Sequence, residues 1–161
     1  MTVKEYNLCV DKYADGVYRF ILKNIRDQEK ARDIVQDAFA RMWEKAGQIA
    51  YEKSKSYLFT SAHNRMIDVI RKEKKQSPME ESHYNHLSTN RQYSDLKEVL
   101  DEALGRLPEI QRSLILLRDY EGYSYEEIGE ITELNASQVK VYIFRARNFL
   151  KQYIGSMDHV M

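Results

Sequence analysis

Apolar residues recur at every third or fourth position along nearly the whole chain, and this period fails once, over residues 76–94. A period near 3.6 belongs to amphipathic helices, which bury one stripe and leave the rest in water. The chain is therefore expected to be all-α, as two small helical domains joined by a flexible linker. The boundaries read from the pattern are 1–75, a linker at 76–94, and 95–161. With 161 residues, 43% of them apolar, there is core material for one ordinary domain or two small ones. Only six glycines and two prolines are present, which agrees with helices and few tight turns.

Element by element, Thr2 and Glu5 have capping-box spacing, and Tyr13, Val17, Phe20, Ile21 and Ile25 follow on one helical face. Asp27 is placed to cap a second helix with an inner face of Ile34, Val35, Ala38, Phe39 and Met42, ending near Gly47. A third helix is expected from about Ser56 to Lys75, with Leu58, Ala62, Met66, Val69 and Ile70 inward. QSPMEESHYNHLSTNRQYS then lacks any apolar period and reads as a mobile linker. Period resumes at Leu96, Val99, Leu100, Ala103 and Leu104. Pro108 suits the first turn of a helix running to Tyr120 and closing at Gly122.

The charge is zero overall but unevenly spread. Residues 1–75 carry 16 basic and 11 acidic side chains, whereas residues 95–161 carry 8 and 12. Such a split hints at modules with different partners. No apolar run approaches the roughly 20 residues that span a bilayer. MTVKEYNLCV has no signal-peptide core, so a cytoplasmic protein without direct membrane insertion is expected. A single cysteine, Cys9, rules out an internal disulfide and a thiolate metal cluster, and its apolar neighbours suggest a small buried hydrophobe.

The segment YSYEEIGEITELNASQVKVYIFRARNFL carries the clearest local logic. Ser124 and Glu127 form a capping box, Thr132 to Leu134 make a turn, and Asn135 with Gln138 caps the next helix. Gly129 is costly inside a helix, by about 1 kcal/mol relative to Ala, which makes sense if a second helix crosses there with its backbone close. Val139, Ile143, Ala146 and Leu150 share an inward face. Ser137, Gln138, Lys140, Val141, Phe144 and Arg145 lie away from it, with Asn148 and Lys151. Amide and cationic donors suit base edges and phosphates, and apolar groups suit thymine methyls, so the pair of helices reads as a helix-turn-helix. The competing reading is a solvated helix with ordinary surface charges. A module carrying four more acids than bases is, however, poorly equipped to hold DNA alone.

The third helix, SYLFTSAHNRMIDVIRKEKK, offers His63, Asn64, Arg65 and Asp68 on its exposed side and ends in Arg71, Lys72, Lys74 and Lys75. Tyr57 and Phe59 stand at its start beside Lys53 and Lys55. Cations beside aromatics suit unstacked nucleic acid, since a flipped base can lie on a ring while cations hold phosphates. Alternatively, the two rings are core and the terminal cations complement the helix dipole.

DIVQDAFARMWE, SYLFTSAHNRMIDVIR and LPEIQRSLILLRDYEGYSYEEIGEITELNASQVKVYIFRAR, in this order, resemble the bacterial RNA polymerase sigma factors of the extracytoplasmic-function (ECF) class, within the sigma-70 family. The resemblance spans roughly residues 10–153. It implies that residues 1–75 correspond to sigma region 2, for core polymerase binding and −10 element recognition and melting. Residues 95–161 would be sigma region 4, reading the −35 element. It further implies that Asp33, Gln36, Asp37, Arg41 and Trp43 meet the clamp coiled coil of the β′ subunit. Lys55, Tyr57, Asn64, Arg65, Asp68, Arg71 and Lys72 would meet −10 DNA, and Ser137, Gln138, Lys140, Val141, Phe144 and Arg145 the −35 element. The second module would also hold the β flap, and an anti-sigma factor is a further implied partner. Tyr57 stands where the family usually has Trp, and Thr60 and Ser61 replace a common basic-plus-aliphatic pair. Val141 and Tyr142 replace a frequent Ser-Arg pair, which implies more reliance on apolar contact to thymine.

Two rival readings remain at this level. An autonomous helix-turn-helix regulator explains the C-terminal half but leaves the cations of the first half without purpose. A metal or hydrolytic enzyme would rest on His83 and His86 with Glu80 and Glu81, in the linker and without a rigid scaffold. No Gly-rich phosphate loop or nucleophile–base motif is present, so a non-enzyme with no cofactor and no metal is expected.

Overall fold

In a computed structural model of the chain, residues 1–76 and 93–160 are described. They form seven helices: α1 (Val3–Ile25), α2 (Gln28–Glu44), α3 (Ser54–Gln76), α4 (Tyr93–Arg106), α5 (Glu109–Ile115), α6 (Tyr125–Thr132) and α7 (Ala136–Val160). Among the described residues there is no strand. The expected linker falls almost wholly outside them, as do Glu80, Glu81, His83 and His86.

Local chemistry starts and stops these helices where the sequence suggests. The Thr2 hydroxyl accepts from the Glu5 amide at 3.1 Å while the Glu5 carboxylate accepts from the Thr2 amide at 2.8 Å, closing the first capping box. Asp27 accepts from the Lys30 amide and caps α2. Two short 3₁₀ turns, Ala46–Gln48 and Tyr51–Lys53, then lead into α3, so α2 ends three residues short of Gly47. α5 gives way to a π-helical turn at Leu116–Tyr120 in place of one regular helix to Tyr120. Gly122, at φ +77°, reverses the chain behind it.

α1, α2 and α3 pack as one bundle around Val17, Phe20, Ile21, Ile34, Met42, Leu58 and Met66. α4 to α7 enclose Leu104, Leu114, Leu117, Ile128, Val139 and Ile143. Cys9 is fully buried, as its neighbours suggested. The two bundles are not separate: their buried residues form one continuous cluster, and α3 lies along α6 while α1 touches α4 and α5.

One open choice is settled and three expectations need correction. Phe59 is fully buried, with its ring 5.6 Å from that of Phe20, so it is core and not a platform for bases. His63 is also buried, stacked on Phe20, because α1 packs over that side of α3. Leu96, where the apolar period was expected to resume, is 59% exposed, although α4 already begins at Tyr93. At Gly129 the close backbone belongs to the turn, not to a crossing helix: an added Cβ would lie 2.9 Å from the Leu134 carbonyl oxygen.

Candidate functional site

Three exposed faces and one covered one carry the side chains singled out in the sequence. The first is on α2. Its apolar stripe (Ala31, Ile34, Ala38, Met42) faces the bundle, which leaves Asp33, Gln36, Asp37, Arg41 and Trp43 in solvent on the other side. Trp43 is 52% exposed although it is the only tryptophan. Its ring leans edge-on against Tyr6 at 5.0 Å, and the Tyr6 hydroxyl donates to the Phe39 carbonyl at 3.0 Å. The indole is thus propped outward on a fixed support, a costly placement for a large apolar ring unless a partner covers it.

The second face runs along α3. Asn64, Asp68, Arg71 and Lys72 are exposed, and Arg65 is half-buried. The Arg65 guanidinium donates to the Asp37 carboxylate at 3.1 Å, which joins the α2 and α3 faces through one exposed ion pair. At the start of α3 the situation differs. Lys55 and Tyr57 are half-buried beneath α6. The Lys55 ammonium pairs with Glu127 and sits 4.5 Å from the centre of the Tyr123 ring. Tyr57 lines a shallow cleft with Lys53, Ser56 and Thr60 on its own side and Glu130 of α6 opposite.

The third face is the outer side of α7. Asn135 and Gln138 cap the helix reciprocally, at 3.0 and 2.8 Å. Val139, Ile143 and Ala146 are buried, and all six predicted contacts, Ser137, Gln138, Lys140, Val141, Phe144 and Arg145, are exposed. Phe144 is 66% exposed and Val141 45%, an apolar pair one turn apart amid donors. Arg147 braces the helix from behind through two bonds to Asp119. The helix-turn-helix hand-off is made by Glu133, at φ +63°, whose amide bonds to the Gly129 carbonyl.

Electrostatics follow from these placements. Lys55 and then the Ser124 amide hold the Glu127 carboxylate below its usual range. Burial lowers the His63 imidazole to about 4, and its Nε2 has no hydrogen-bond partner. Burial, reinforced by Glu121, raises the Tyr123 phenol well above its ordinary value. Among the described residues no group of three or more His, Cys, Asp or Glu is placed to hold a metal ion, and no helix is long and apolar enough to cross a membrane.

Sequence reasoning missed that residues it had not singled out, and Lys55 and Glu127 that it had, join the two bundles. Arg19 with Glu121, Lys23 with Asp101, Asn24 with Arg112, and Lys55 with Glu127 all cross between them. For the three ion pairs the signal was the opposite charge of the two halves, which reads equally well as a mark of different partners.

Comparison with known proteins finds matches to both bundles. Residues 9–76 match sigma-70 region 2, and residues 97–150 match sigma-70 region 4. The ECF RNA polymerase sigma factor SigM of Bacillus subtilis is 31% identical over 144 residues, covering 86% of this chain and 88% of that protein. The RNA polymerase sigma factor SigV of the same organism is 29% identical, covering 93% and 91%. Among solved structures, the sigma factor RpoE of Bartonella quintana, determined with the anti-sigma factor NepR, superposes with a TM-score of 0.77. It is 26% identical, and the match covers 95% of this chain and 98% of that one. Matches in both halves leave the autonomous-regulator reading without support.

Proposed function

The chain belongs to the extracytoplasmic-function sigma factors of bacterial RNA polymerase, and from that premise we propose how its three faces divide the work of directing initiation. A sigma factor of this kind gives core polymerase its promoter specificity and leaves the chemistry of RNA synthesis to the polymerase. Residues 1–75 act as the module that binds polymerase and reads and melts the −10 element. Residues 95–161 act as the module that reads the −35 element.

The α2 face docks first in this scheme. Asp33 and Asp37 meet basic side chains of the β′ clamp coiled coil, Gln36 and Arg41 add directional hydrogen bonds, and Trp43 is the apolar anchor. A propped, solvent-facing Trp within a polar rim is the composition that dominates binding energy at protein interfaces. On α3, Lys55, Arg71 and Lys72 hold phosphates of the melted −10 strand, and Tyr57 stacks an unpaired base. Asn64, Arg65 and Asp68 read base edges. On α7, Ser137, Gln138, Lys140 and Arg145 supply donors to the major groove and its phosphates, while Val141 and Phe144 meet thymine methyls. The α4–α7 module also engages the β flap, and an anti-sigma factor is a further partner.

One observation supports this reading most. All six outward residues of α7 and all five of α2 are exposed on capped, well-packed helices, on two bundles whose sequences match the two sigma regions. A protein with no net charge gains from this division, because polymerase supplies the phosphate neutralisation that the chain lacks. The test is transcription with purified core polymerase, with and without the protein, followed by mapping of RNA 5′ ends. Starts sharing upstream −10 and −35 elements support the reading, and absence of both starts and core binding overturns it.

A further inference from the structure

We infer that Tyr142 is a positioning residue for −35 recognition: its ring seats the Arg145 guanidinium on the outer face of α7, where Arg145 reads one guanine. This role rests on the functional reading of α7 above and deepens it. A single base and a supporting side chain take the place of general donors to the major groove.

Two arginines stand close together on α7, and they are held in different ways. Arg147 gives two bonds to the Asp119 carboxylate, at 3.2 and 2.5 Å. Arg145, two residues earlier and exposed, has no carboxylate within ion-pair distance among the described residues. Its guanidinium lies instead 6.0 Å from the centre of the Tyr142 ring. Helical side chains lean towards the N-terminus, which carries the Arg145 stem back over residue 142, one turn earlier. Tyr142 is half-buried and packed against the core, so its ring is a fixed seat and not a second mobile side chain. Lys140, another outward cation of this face, follows the same rule: its ammonium lies 5.9 Å from the centre of the half-buried Tyr125 ring.

An ion pair and a ring hold a guanidinium by different parts. A bidentate carboxylate takes two in-plane N–H donors out of use, as Asp119 does for Arg147. A ring attracts the cation's charge and leaves the in-plane donors free. The fork of donors on Arg145 therefore stays open to the groove. That fork matches guanine, whose O6 and N7 are the acceptors that arginine reads bidentately. A stem already restrained before binding also loses less freedom on docking. Val141 and Phe144 are exposed on the same face and, being apolar, offer the guanidinium no competing acceptor. A cation in place of Tyr142 would repel Arg145 across one helical turn, whereas the ring holds it.

The experiment has two arms, run on the full chain as parent, Tyr142→Phe, Tyr142→Leu and Arg145→Ala. In the free protein, NMR of the Arg145 side-chain protons is expected to show an upfield ring-current shift in the parent and in Tyr142→Phe, and none in Tyr142→Leu. An unshifted parent overturns the seat. With core polymerase bound, promoter duplexes varied at each −35 position compete for the protein. One guanine preference is expected that Arg145→Ala abolishes and that 7-deazaguanine, which lacks the N7 acceptor, weakens. Tyr142→Leu lowers that preference about fourfold, Tyr142→Phe keeps it, and preferences at the other positions stay as in the parent. A guanine preference that survives Tyr142→Leu overturns the role, as does an equal loss in Tyr142→Phe. A uniform loss at every position would mark Tyr142 as merely structural, and Arg145→Ala abolishing no guanine preference would remove the base assignment. A parent with no −35 preference at all would sink the reading of α7 itself, and the free-protein arm, which uses neither polymerase nor DNA, still decides the seat.

Discussion

His63 illustrates how one side chain can link the bundle's packing to solution conditions. Its imidazole is held neutral by burial against Phe20, with a pKa lowered from 6.5 to about 4. A neutral base that must charge on unfolding stabilises the fold above its unfolded pKa, and that contribution is lost as pH falls. Between pH 6.5 and about 4 the loss attributable to this residue is on the order of 3 kcal/mol at most. Denaturant melts across that range are expected to show a shallower pH dependence for His63→Phe than for the parent, because the ring stack stays and the titration goes. Trp43 is the converse case, a large side chain whose work lies outside the fold. Trp43→Ala is expected to leave the thermal midpoint nearly unchanged while weakening core polymerase binding by about 2 kcal/mol, roughly 30-fold, in a direct titration. An equally large loss of stability would place the indole in the bundle's support instead. Both residues also mark the limits of reading positions one at a time. The helical wheel of α3 puts His63 beside Asn64 on the exposed side, yet it is buried, because burial depends on where α1 crosses.

At the scale of the element, the helix-turn-helix rests on two short pieces of local chemistry. Ser124 accepts from the Glu127 amide at 3.1 Å, and Ser124→Ala is expected to remove about 1 kcal/mol of stability, read from chemical denaturation. Gly129→Ala runs against ordinary helix propensity. The added methyl would sit 2.9 Å from a main-chain oxygen that cannot swing aside, so a loss of roughly 1–3 kcal/mol is expected in place of a gain. On α7, Arg145→Ala and Lys140→Ala remove exposed cations from the outer face. Each is expected to lower the salt slope of holoenzyme binding to promoter DNA by about one if it meets a phosphate, and an unchanged slope would place that cation away from the backbone. Caps, turn and outward face were all legible in the sequence, since each depends on residues within four positions of one another. The π-helical turn at Leu116–Tyr120 was not, because only docking against α1 gives the extra residue a purpose.

Across the whole molecule, the uneven charge of the two halves has a spatial meaning. The basic first half and acidic second half face each other through Arg19–Glu121, Lys23–Asp101 and Lys55–Glu127. Raising ionic strength from roughly 0.05 to roughly 0.5 M screens the outer pairs, and small-angle scattering of the free protein is expected to show a modest increase in radius. The buried Glu121 pair is screened least, so Arg19→Glu should expand the protein further than salt does. By itself the sequence determined the all-helical class, the capped starts of α1, α2, α6 and α7, and the exposed faces of α2 and α7. Those properties follow from periodicity and from capping contacts between near neighbours. Only the tertiary structure decided that Phe59 and His63 are core, that Lys55 and Tyr57 lie under α6, and that Gly16 makes room for Glu121. Each of these depends on contacts between residues far apart in the chain, and no local pattern encodes which of two amphipathic faces meets which.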